Sequence, residues 1–234
     1  MTTNSEWIDI PADGGTYQGY LALPPADSRD RKGPGIILLQ EIFGVNAHIR
    51  SVADQYAADG YVVLAPDIFW RSEKRVELGY EGDDMKKAVS LMQATDVGNA
   101  VSDVAAAVKA LKTRPELQGN VTAIGYCFGG RLAYLSAANG LVDAGVAYYG
   151  GGIQNMLDKA AQVKVPMLFH YAEHDHNISL EAVEQVKAAF AGHPDATFHV
   201  YPGAEHGFNC NVRGSYQRHA AALAHGRTLA FLEK

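Results

Sequence analysis

Three residues far apart in the chain, Cys127, Asp175 and His206, have the types and the order that nucleophilic acyl transfer needs. A thiol attacks, an imidazole within hydrogen-bond reach moves its proton, and a carboxylate on the other ring nitrogen fixes the tautomer. Cys127 is the central residue of Gly125-Tyr126-Cys127-Phe128-Gly129-Gly130. Small residues two before and two after a nucleophile, between a strand and a helix, are the pattern of a nucleophile elbow, here with Cys where Ser is usual. A Cβ on either flanking glycine would strike the strand or the helix. The turn also aims the N–H groups of a helix N-terminus at the sulfur, a setting that favours an anion. The competing reading is a buried structural cysteine in a Gly-rich turn.

Asp175 lies in Ala172-Glu173-His174-Asp175-His176, and His206 in Pro202-Gly203-Ala204-Glu205-His206-Gly207-Phe208. Each of the three residues follows a stretch that reads as a strand, so three separate loops agree. Strand-like alternation would put His174 and His176 on one face and Asp175 on the other. Two other readings stand beside this one. The run His170 to His176 has a spacing that could hold a metal, and His206 alone could be a surface histidine. An oxyanion hole needs two N–H groups. One is expected from Phe128 and the second from Ile42, in the loop Gln40 to Asn46. Glu41 comes soon after the apolar strand at 36–39, where burial is costly unless the charge is paired. It reads either as a charge aimed at the thiol, the histidine or an arginine, or as a solvated loop charge. Trp70, Phe128, Tyr148 and Phe208 read as pocket lining or as plain core.

The elements that must position these residues alternate strand and helix. Residues 7–10 and 17–23 read as an N-terminal hairpin around Asp13-Gly14-Gly15, and 26–35 as a polar loop. Strands are expected at 36–39, 61–65, 121–124, 144–149, 166–171 and 196–201. Helices are expected over 49–57, 84–93, 97–111, 131–138, near 155–161, 180–190 and 215–233, the last with Ala222, Leu229 and Leu232 on one face. Residues 67–83 read as a loop that could cap a site. This alternation predicts a mostly parallel central sheet with helices on both faces, in one α/β domain over residues 1–234. Active sites of such sheets lie at the carboxyl ends of the strands, where all three loops begin.

Composition excludes several classes of function. Hydrophobic residues make up 47% of the 234 and charged residues 20%, the profile of a folded globule. A formal charge of −6, without an extended basic cluster, argues against a nucleic-acid or anionic-membrane surface. No apolar run approaches the ~20 residues of a membrane span. The polar stretch Met1 to Pro11 does not read as a signal peptide. Two cysteines make no disulfide framework, so a reducing cytoplasm is expected.

Together, Gln40-Glu41-Ile42-Phe43-Gly44, the Cys elbow, Tyr148-Tyr149-Gly150, His174-Asp175 and Gly203 to Phe208 resemble the dienelactone hydrolase family, the carboxymethylenebutenolidases, over roughly residues 7–233. The resemblance implies an α/β-hydrolase fold and hydrolysis of a small lactone or ester. It implies a Cys127-His206-Asp175 triad and a thioester acyl-enzyme, with no cofactor and no metal. It also implies that Glu41 contacts the resting thiol and assists its ionisation. Family members that cleave dienelactone hold the substrate carboxylate with two arginines, whose places here fall on Met85 and Cys210. Arg71, Arg75, Lys86 and Arg213 are the cations that could replace them, Arg71 being placed in the substrate site. Without the two arginines, a neutral lactone or ester is expected to be turned over at least as well as an anionic one. The only partner expected is a small-molecule substrate, with the chain a monomer or weak dimer. The alternative is a redox-sensing or binding protein of the same fold that uses Cys127 and Cys210 as thiols.

Overall fold

The expected hairpin forms at the N-terminus: β1 (Asn4–Ala12) and β2 (Gly15–Leu23) pair antiparallel in full register, from Asn4 opposite Leu23 to Ala12 opposite Gly15. Gly14, at φ +84°, makes the turn. The computed structural model describes residues 4–25 and 31–234, so residues 26–30 of the expected loop lie outside the described residues. The chain divides into two compact units, Met1–Ala123 and Ile124–Lys234.

In the first unit, β3 (Gly33–Leu39) and β4 (Val62–Pro66) are parallel and joined by α1 (Ala47–Ala58). The strands lie in the order β1-β2-β4-β3, with β2 antiparallel to β4. Ile36 to Leu39 and Val62 to Ala65 are fully buried, which explains why both read as unbroken apolar runs rather than alternating ones. Asn46 caps α1 by accepting from the Ile49 N–H, and the chain leaves it through Gly60 at φ +103°. Then come α2 (Gly82–Ala94) and α3 (Val97–Lys112), the latter capped by Asp96, whose side chain accepts from the Asn99 N–H. Residues 67–81 form neither helix nor strand. β5 (Leu117–Tyr126) begins four residues earlier than its apolar part, because Leu117 to Asn120 are half-buried or exposed and carry no hydrophobic signal.

The second unit opens with the end of β5 and then α4 (Phe128–Ala138), β6 (Ala144–Tyr148), β7 (Met167–Ala172), α5 (Leu180–Ala189), β8 (Ala196–Tyr201) and α6 (Arg218–Leu232). β6, β7 and β8 are parallel neighbours in that order. Two short 3-10 turns, Ile153–Asn155 and Leu157–Gln162, stand where a helix was expected near 155–161.

The orientation of α6 differs from its sequence pattern. Its buried positions are Ala220, Ala221, Ala224 and Thr228, while Ala222 is exposed. Thr228 sets the rotation. Its hydroxyl meets the Tyr148 hydroxyl at 2.7 Å and His170 Nε2 at 3.0 Å, and His170 Nδ1 meets the Tyr201 hydroxyl at 2.8 Å. This network is wholly internal, so burial pushes His170 well below the ordinary histidine range and keeps it neutral.

Candidate active site

β5 ends at Tyr126 and α4 begins at Phe128, so Cys127 alone turns the chain, at φ +54° and ψ −112°. An L-residue with a Cβ is strained there. Its N–H donates to the Tyr148 carbonyl at 3.0 Å, and its carbonyl accepts from Gly130 at 3.0 Å and Arg131 at 3.3 Å. The glycines are sterically required. A Cβ on Gly125 would stand 1.9 Å from the Gly129 oxygen, and one on Gly130 would stand 2.8 Å from Gly150 Cα. Backbone cannot give way as a side-chain tip can. Gly125→Ala is therefore expected to destabilise the protein by about 3 kcal/mol or more, read as a lower urea midpoint at unchanged slope.

The acid and the histidine come from adjacent parallel strands. β7 leads to Asp175, and β8 to His206. The two loops are tied together, since the His174 N–H donates to the Ala204 carbonyl at 2.8 Å and the Gly203 N–H to Glu173 Oε2 at 2.8 Å. Asp175 Oδ2 lies 2.7 Å from His206 Nδ1, and Oδ1 accepts from the Asn177 and Ile178 N–H groups at 2.8 and 3.1 Å. Both carboxylate oxygens are thus in use and the group is buried. His174 and His176 are exposed and His170 is internal, so the three histidines of that run do not converge.

His206 is hydrogen-bonded to Cys127 as well as to Asp175. Burial pulls its pKa down. The charge of Cys127, the bonds to Asp175 and Cys127, and the charge of Asp175 outweigh that and push it up to about 10. Because the folded value lies above the ordinary 6.5, the stabilisation from these contacts is full below pH 6.5 and is lost as pH rises through about 10. Cys127→Ala deletes two of the raising contacts. The His206 midpoint followed by NMR is expected to drop well below its wild-type position, and an unchanged midpoint would mean that Asp175 alone holds it.

The other expected residues fall into distinct environments. Phe128, Tyr148 and Phe208 are fully buried, and the Tyr148 hydroxyl is taken by Thr228. These rings pack the ground under the site. Trp70 is also buried, stacked on Tyr17 at 5.3 Å, and its Nε1 donates to Asp103 at 2.8 Å. Arg71 donates from Nε and Nη2 to the same carboxylate at 2.9 and 2.8 Å, so its charge is already matched. Arg75 lies over the Trp7 ring at 3.4 Å, and exposed Lys86 bonds Asp83 at 2.7 Å. Glu41, two residues past the end of β3, is 1% exposed, which removes the solvated-charge reading. Ile42 beside it is half-buried, as is Met85 on α2. Cys210 is fully buried and, like half-exposed Cys127, in no disulfide. A resolving cysteine has to reach the sulfur it resolves, and the burial of Cys210 weighs against that use. Arg213 lies over Gly207, where a Cβ would come 2.5 Å from its Nη1.

One aromatic residue of the Tyr148-Tyr149-Gly150 motif is given no site role by the sequence. Tyr149 is fully buried at φ +37°, with its ring centroid 5.0 Å from the His206 ring and 5.3 Å from Phe208. Consecutive residues at a strand end point to opposite faces. Two tyrosines in succession therefore send one ring to the core network and the other to the histidine.

Comparison with known proteins shows what the chain as a whole is similar to. The Dienelactone hydrolase family matches residues 17–234. A carboxymethylenebutenolidase of Pseudomonas putida is 36% identical over 97% of this chain and 96% of its own. Another, from Pseudomonas sp. strain P51, is 35% identical over 98% and 95%. The solved structure of a Klebsiella pneumoniae protein assigned as a dienelactone hydrolase superposes with a TM-score of 0.87 over 100% of both chains at 29% identity. The strand and helix order is therefore that of the α/β-hydrolase fold. With its elbow, its acid and its histidine on the expected loops, the chain belongs to the dienelactone hydrolase family and is a hydrolase of ester or lactone bonds.

Proposed function

We propose that the protein hydrolyses a small lactone or ester through a thioester on Cys127. The Cys127 sulfur bonds to the acyl carbon, and the carbonyl electrons move onto its oxygen. The N–H groups of Phe128 and Ile42 hold that oxyanion, a contact type worth roughly 3–4 kcal/mol per donor in a known case. When the tetrahedral adduct collapses, the C–O bond breaks and protonated His206 gives its proton to the leaving oxygen. In a lactone that oxygen stays attached to the acyl group. Water then attacks the thioester while His206 takes its proton, and the sulfur leaves with its electron pair. Asp175 keeps Nδ1 of His206 protonated throughout, so that Nε2 does the proton transfer. Glu41, buried two residues past the end of β3, assists ionisation of the thiol, the role the family resemblance gives it.

The observation that carries this reading is the double contact of His206, with Asp175 at 2.7 Å on one side and Cys127 on the other. No cofactor enters the scheme. Two cysteines outside any disulfide suit a reducing cytoplasm. Rapid mixing with a p-nitrophenyl ester tests the covalent step. A burst of one nitrophenolate per chain ahead of the steady state is the expected result if deacylation is the slower half. A steady state without a burst for every ester tried, together with an unlabelled enzyme, would count against a thioester.

A further inference from the structure

We propose that Arg131 forms an anion subsite beside Cys127, and that this subsite selects acyl substrates carrying a carboxylate near the scissile carbonyl. The inference rests on the thioester reading above. Arg131 follows Cys127 by four residues, so the two share a face at the start of α4. Helical side chains lean toward the N-terminus, which returns the guanidinium toward the elbow. Its Cζ lies 5.0 Å from the Phe128 ring centroid. On its other side it rests against Gly152, at φ +90°, where a Cβ would come 3.0 Å from Nη1 and 3.3 Å from Cδ. Neighbouring Gly151 faces open space. The glycine run after β6 thus seats the guanidinium and leaves an opening next to it.

The side chain of Arg131 is half-buried. Its Nε is buried with no hydrogen-bond partner among the described residues. Burial lowers its pKa, and the one charge that acts against that is the charge of Cys127. By contrast, Arg71 is matched by Asp103 and Lys86 by Asp83. A buried guanidinium N–H without an acceptor is costly, and a carboxylate is the group that matches the donor geometry of arginine. A substrate carboxylate need not then be held from the places of Met85 and Cys210. This reverses the preference for neutral substrates that the missing arginines suggest.

Iodoacetate and iodoacetamide test this, because both lose iodide to the same sulfur and differ in the carboxylate. Their second-order rates at Cys127 are compared in the wild type, Arg131→Gln and Arg131→Lys. The iodoacetate-to-iodoacetamide ratio is expected to fall about tenfold or more in Arg131→Gln, as for loss of one charge-assisted contact, and much less in Arg131→Lys. In the unmodified protein, succinate is expected to protect Cys127 from iodoacetamide and succinamide is not. This arm holds even if a variant fails to fold. An unchanged ratio, an equal loss with both reagents, or equal protection by succinate and succinamide would overturn the subsite. Failure of either reagent to label Cys127 would instead contradict the nucleophile assignment beneath it.

Discussion

Cys127→Ala is expected to lower ester hydrolysis by about five to six orders of magnitude, the scale seen when the nucleophile of a comparable triad is removed. The thermal midpoint is expected to move little. Cys127 is half-exposed, so truncation leaves no sealed cavity, and Ala keeps the same φ of +54° and therefore the same strain. Cys127→Gly separates catalysis from strain. It is equally inactive but more stable than Cys127→Ala, by about 1 kcal/mol, because glycine adopts that conformation without penalty. Thermal melts and pre-steady-state assays of both variants check the pair. Residual turnover in purified Cys127→Ala above that of buffer would remove the residue from the mechanism.

Asp175→Asn is expected to cost about four orders of magnitude in kcat, as the equivalent change does in a serine protease triad. The cause is specific to the hydrogen bonds here. Oδ1 accepts from the Asn177 and Ile178 N–H groups, so an amide must place its oxygen there. Its NH2 then faces His206 Nδ1, where the carboxylate oxygen lay at 2.7 Å. A donor at that place forces Nδ1 to accept and puts the imidazole proton on Nε2, the wrong tautomer for taking a proton from water or sulfur. Loss of the carboxylate charge also removes part of what raises the His206 pKa. His174→Ala and His176→Ala, at exposed positions, are expected to stay within a few-fold of wild type. Steady-state kinetics across the three variants is the check. A large loss in His174→Ala or His176→Ala with little in Asp175→Asn would move the acid elsewhere in the loop.

That Cys127, Asp175 and His206 fall on converging loops was legible in sequence, because each follows a strand whose apolar run is plain and because glycines flank the turn at 125 and 129. What stayed hidden follows from the limits of periodicity. Thr228 is a polar residue on the buried face of α6, and its partners Tyr148 and His170 come from other elements, so no local pattern could mark it. Leu117 to Asn120 extend β5 by backbone pairing while their side chains stay outside the core. Trp70 and Arg71 looked like site residues, yet Asp103, about thirty positions away, takes both. Arg131, the proposed anion subsite, carries no signal in the sequence for the opposite reason. A charged residue in the first turns of a helix is ordinarily solvated, and only the burial of its Nε and the close approach of Gly152 set it apart.

The central claim is that acyl transfer passes through Cys127. Acid-quenched mass spectrometry of the enzyme during turnover of an activated ester tests it directly. The account predicts one acyl group on the tryptic peptide ending at Arg131, localised to Cys127 and released by hydroxylamine as a thioester is. Turnover with that peptide unmodified, or with the acyl group on another residue, would contradict it.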